Sequence, residues 1–71
     1  MENQAWKIFN ELEPRYRSAY KIENEREINT LEYRTGWVRL STYSGCFTEK
    51  VRVRKFEQMT EELERRIKNK V

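Results

Sequence analysis

Residues 27–56 read EINTLEYRTGWVRLSTYSGCFTEKVRVRKF. Leu31, Tyr33, Val38, Leu40, Val51 and Val53 fall at alternate positions in three short runs, separated by the chain's two glycines, Gly36 and Gly45. Alternation of period two marks a strand with one buried face. Turns centred on Thr35-Gly36 and Ser44-Gly45 pair Tyr33 with Val38, Leu31 with Leu40, Thr42 with Phe47, Leu40 with Glu49 and Val38 with Val51. The three strands then agree on one apolar face of Leu31, Tyr33, Val38, Leu40, Phe47, Val51 and Val53, as an antiparallel sheet covered on one side requires. The other face collects Thr30, Glu32, Arg34, Trp37, Arg39, Ser41, Tyr43, Thr48, Lys50, Arg52 and Arg54. Glu32 lies opposite Arg39 on it, a cross-strand pair worth ~0.2–1 kcal/mol. Glu49 falls on the apolar side and belongs near an edge. A three-residue second loop would slip the hairpin by one and carry Trp37 into the core, but the apolar matching favours the first register.

Outward from this stretch both flanks turn helical. In residues 3–21, Ala5, Ile8, Phe9, Leu12, Tyr16, Ala19 and Tyr20 recur three and four apart, with Trp6 beside them and Lys7, Glu11, Arg15 and Arg17 opposite. Asn3 is placed to cap this helix. Pro14 removes one helical hydrogen bond, but the apolar stripe stays in phase across it, so one bent helical region is expected. Residues 21–27 are a polar connection or an extension of that helix. After the sheet, Phe56, Met59, Thr60, Leu63 and Ile67 form a second stripe, starting between Lys55 and Thr60. Thr60 before Glu61 and Glu62 reads as an N-cap. Glu61–Arg65, Glu62–Arg66 and Glu64–Lys68 have the favourable i,i+4 orientation.

The expected fold is therefore α+β: a single small domain over residues 1–71, two layers in the order α-β-β-β-α. A three-stranded antiparallel sheet carries both helices on its apolar face. The order is similar to that of double-stranded-RNA-binding domains, which begin the last helix with a Ser-Lys-Lys-type basic segment; here that junction is Phe56-Glu57-Gln58-Met59-Thr60. Lys50-Val51-Arg52-Val53-Arg54 resembles the DNA-reading strand of ribbon-helix-helix repressors, which need two helices after it where this chain has room for one. Neither family is assigned.

Charge narrows the function. Residues 1–32 carry seven acids and five bases, residues 33–56 six bases and one acid, and residues 57–71 four of each. The positive charge belongs to the sheet, where it can steer an anionic partner. With no histidine the usual general base and metal ligand is missing. The carboxylates are interleaved with bases, the glycines are isolated, and Cys46 has no companion thiol, so no metal site, cofactor, catalytic residue or small-molecule substrate is expected. No apolar run approaches ~20 residues and no signal-peptide pattern occurs, so the expectation is a cytoplasmic protein without membrane attachment.

A non-enzymatic interaction protein remains: an adaptor, inhibitor or regulator that binds another protein or its own copy. A small virus- or plasmid-borne regulator fits that description. Nucleic-acid binding through the same surface is the alternative. The expected partner-binding residues are Trp37, Arg39, Tyr43, Lys50, Arg52, Arg34 and Arg54, one aromatic-basic patch facing away from the helices. Trp, Tyr and Arg dominate protein interface hot spots, and they also serve as stacking and phosphate contacts for nucleic acid.

Overall fold

The computed structural model describes residues 4–43 and 47–70; at 42, 43 and 47 it describes the backbone alone. Helix α1 (Gln4–Asn24) precedes strands β1 (Thr30–Arg34), β2 (Trp37–Tyr43) and β3 (Phe47–Arg52), and helix α2 (Val53–Asn69) closes the fold. The sheet is antiparallel in the order β1-β2-β3, and the two helices pack against each other on one face of it.

The α1 stripe is the one its spacing predicts: Phe9, Leu12, Tyr16, Ala19 and Tyr20 are buried. Helix α1 runs unbroken through Pro14. Asn10 and Pro14 are both exposed, so the carbonyl left without an N–H partner by the proline sits on the solvent side, where water can satisfy it. The helix ends at Glu25, which has a φ of 58° and donates its N–H to Lys21 O at 2.7 Å. A left-handed residue with this bond satisfies one of the last carbonyls. The expected cap Asn3 lies outside the described residues.

The first hairpin turns through Thr35 and Gly36, both at positive φ (45° and 84°). Positive φ at both central residues is the type I′ requirement, which suits the twist of the strands. Glycine meets it freely, whereas a β-branched threonine is strained there. Thr35→Asn should therefore raise stability by roughly 0.5–1 kcal/mol, measured as a higher urea midpoint at unchanged slope.

Between β2 and β3 the expected pairs Val38 with Val51 and Leu40 with Glu49 are present, but Phe47 lies opposite Tyr43 instead of Thr42. Ser41 pairs with Thr48, so Thr42 is one extra residue on β2, a bulge. Residues 44–46 connect Tyr43 to Phe47, one more than a two-residue turn, and the bulge absorbs the difference. The apolar register survives for that reason. The Ser44-Gly45 turn itself, Cys46, and the side chains of Tyr43 and Phe47 lie outside what is described.

Two expectations about the last third are corrected. Strand β3 stops at Arg52, which becomes the N-cap of α2, and Val53 is already helical. Val53 stays in the core, because the third residue after it, Phe56, continues the same buried helical stripe. Thr60 is not an N-cap. It lies in the middle of α2, fully buried, and its hydroxyl donates to Phe56 O at 2.9 Å, one turn back. A buried hydroxyl in a helix interior finds that carbonyl as its nearest acceptor.

The core is an aromatic cluster closed by the sheet. Phe56 lies 4.9 Å from the Tyr16 ring and 5.8 Å from Phe9 by ring centroids, and Phe9 reaches Tyr33 at 5.6 Å. Burial pushes the Tyr16 phenol above its ordinary value, so it stays neutral and serves as a core aromatic. Leu31, Val38, Leu40 and Val51 supply the floor.

Ion pairs of Arg15 and Glu23 join the two helical segments to each other. Arg15 donates from Nε and Nη2 to the two carboxylate oxygens of Glu64 at 3.0 and 2.7 Å. That fork holds Glu64 below the usual carboxylate range. Both side chains are well exposed, so the pair contributes no more than ~0.2–1 kcal/mol. Glu23 has Lys70 Nζ at 3.3 Å and Arg66 Nε at 3.8 Å. Glu64 and Arg66 are thus paired across the helix interface rather than with Lys68 and Glu62.

Candidate interaction surface

The outer face of the sheet is built in cross-strand rows. Arg34, Trp37 and Arg52 form one row, Glu32, Arg39 and Lys50 the next, and Thr30, Ser41 and Thr48 the third. The rows follow from the period of two: with Val38, Leu40 and Val51 held inward, their neighbours must face outward. Ser41, although on this side, is buried. Trp37 is 37% exposed, and the Arg52 guanidinium carbon sits 4.3 Å from its ring centroid, a cation–π stack.

Arg34, Thr35, Trp37, Arg39, Thr48 and Lys50 line a depression of about 430 Å³ on this face. Four of the seven expected residues therefore meet in one place, and Arg52 joins them through Trp37. Arg54 does not belong. It lies in the first turn of α2, exposed beside Gln4, Ala5 and Glu57 at the start of α1 and α2. Its removal from the patch follows from the strand ending at Arg52. Tyr43 is paired on the backbone with Phe47, and its side chain lies outside the described atoms. Thr35 and Thr48, not among the expected residues, line the depression with polar hydroxyl groups.

In the helical layer and its connection the ion pairs are Arg15–Glu64, Arg17–Glu13, Lys21–Glu27 and the cations at Glu23, while Lys7, Arg54, Lys55, Arg65 and Lys68 stand outside any of them. Among the described residues, Arg34, Arg39 and Lys50 have no ion-pair partner within 4 Å, and the expected Glu32–Arg39 pair is not closed. Arg39 and Lys50 stand directly opposite each other on neighbouring strands. Like charges so placed cost sheet stability. Trp37→Ala should cost only about 1 kcal/mol, the worth of the stack and the covered part of the ring. Thermal unfolding followed by helical circular dichroism, with the α1 and α2 signals retained, measures it.

A second concavity, of about 420 Å³, runs between the helices, lined by Pro14, Arg15, Ser18, Ala19, Ile22, Glu64 and Ile67. It is mostly apolar, and Ile22 beside it is 61% exposed. The Arg15–Glu64 fork sits on its rim.

Among the described residues there is no group of three or more acidic or thiol side chains placed to hold a metal, and no helix long and apolar enough to cross a membrane. Comparison with protein-family models, with characterised proteins and with solved structures finds no match to this chain. The sheet face, with cations clustered around Trp37 and none of Arg34, Arg39 and Lys50 in an ion pair among the described residues, is the feature from which a function can be argued.

Proposed function

We propose that this chain is a small non-enzymatic interaction protein of the cytoplasm that binds an acidic segment of another protein through the outer sheet face. The observation that carries the reading is the gathering of cations around Trp37 on one sheet face. Arg34, Arg39 and Lys50 line one depression with Trp37, none of them in an ion pair within 4 Å among the described residues, and Arg39 and Lys50 oppose each other across strands. An external anion relieves that repulsion on binding, and a half-exposed tryptophan supplies the anchor. Nucleic acid presents the same negative charge. The Arg52 stack, however, already covers one side of the Trp37 ring, which leaves less of a platform for a base.

The test is a set of titrations at low and at physiological salt. Acidic heptapeptides are compared with basic ones of the same spacing, and with single- and double-stranded DNA and RNA oligonucleotides. Salt-sensitive binding of the acidic peptides, and weaker binding of all four nucleic acids, is the expected result. Tighter binding of any nucleic acid transfers the face to that class of partner, and no binding by either class removes the reading.

A further inference from the structure

Resting on that reading, we propose that the acidic segment binds as a fourth strand along the free edge of β3. The backbone polarity of the sheet follows from its registers. Leu31 O accepts from Arg17 Nη2 at 3.5 Å, and Ser41 O accepts from Asn29 N at 3.2 Å. Leu31 and Tyr33 therefore point their backbone groups away from β2, and Trp37, Arg39 and Ser41 point theirs toward β1. Val38 and Leu40 must then serve β3, bonded with Val51 and Glu49. Thr48 and Lys50 are left with both N–H and C=O directed outward, and Arg52 with its N–H, its C=O being committed to the first turn of α2 as the N-cap.

Strand β3 is thus an open template in which Thr48, Glu49 and Lys50 are exposed. The β1 edge is different: α1 reaches it through Arg17 at Leu31 and through Trp6, whose ring lies 5.5 Å from that of Tyr33.

The side chains along this edge select the occupant. In every register that aligns two or more of the outward residues with those of a second copy, like charges meet. Glu49 would face its own copy, or Lys50 its own copy, or Lys50 would face Arg52. Charge on an edge strand guards against such self-pairing. A strand with acids at alternate positions meets the opposite situation. Its carboxylates fall on the outer face beside Lys50 and Arg52, while its backbone completes the ladder.

The probe is a series of acetylated, amidated heptapeptides with Glu at alternate positions and Val, Ile, Thr or Tyr between. Affinity is compared for the wild type, Lys50→Gln and Lys50→Pro. Glutamine removes the charge alone. Proline also removes the outward N–H, which the β2–β3 ladder does not use. Lys50→Gln should weaken the tightest peptide severalfold, and Lys50→Pro at least tenfold beyond that. Amide exchange in the wild type should slow at Lys50 and Arg52 when peptide is bound, which decides the matter even where the proline variant does not fold. Equal affinity of the two variants, or unchanged exchange at these amides in a bound complex, overturns strand addition and leaves face binding standing. Oligonucleotide binding in place of peptide binding overturns both.

Discussion

Phe56→Ala is expected to unfold the domain at room temperature. Phe56 is fully buried (0% exposed), is the largest side chain so placed, and joins the helices through Tyr16 and Phe9. Truncating a phenylalanine in such a site costs ~3–5 kcal/mol, part lost burial and part cavity. A core this small rarely supplies more than about 3–5 kcal/mol in total. Its neighbour Tyr16 offers little room for collapse, since it carries a polar hydroxyl group that resists deeper burial. The more conservative Phe56→Leu should remain folded, losing roughly 1–2 kcal/mol. Near-ultraviolet circular dichroism and urea unfolding distinguish the two. A cooperative, native-like transition for Phe56→Ala would show that the cluster around Phe56 is not what holds the layers together.

Lys50→Glu is expected to separate stability from recognition. It places a carboxylate opposite Arg39, exchanging a repulsive cross-strand pair for an attractive one. The folded state should be unchanged or gain about 0.2–1 kcal/mol. Affinity for an acidic peptide should fall by about tenfold to a hundredfold, because the same carboxylate now repels the partner. A residue whose charge served the fold would show the reverse. Paired urea and binding titrations of the one variant read both quantities. Reduced stability with unaltered affinity would assign Lys50 a structural role.

The hairpins were legible because their constraint is local and repeated. Val38, Leu40 and Val51 alternate with charged residues, and slipping any strand by one would bury arginines, so the register held even though Thr42 bulges. The junction of β3 and α2 was not legible. Lys-Val-Arg-Val-Arg continues a period of two through Arg54, and Val53 points inward under either period, so alternation alone cannot mark where the helix begins. Thr60 misled for a related reason. Threonine before two glutamates resembles a cap, but the helix was already two turns old there, and the hydroxyl had a carbonyl to bond within it. The i,i+4 pairs treated α2 as an isolated helix, whereas packing brought Arg15 and Glu23 within reach of its charges. Of the candidate site, Trp37, Arg39, Lys50, Arg52 and Arg34 came together because strand parity alone places them. Arg54 left with the helix boundary. The open edge of β3 was deducible only once both registers were known.

On the proposed reading, the outer sheet face and not the helices recognises the partner. Chemical-shift mapping of the isotope-labelled chain during titration with the tightest acidic heptapeptide tests it most directly. Shifts should concentrate at Arg34, Trp37, Arg39, Thr48, Lys50 and Arg52, with the indole N–H of Trp37 moving and that of Trp6 silent. Shifts concentrated instead at Ala19, Ile22 and Ile67, along the groove between α1 and α2, would contradict it.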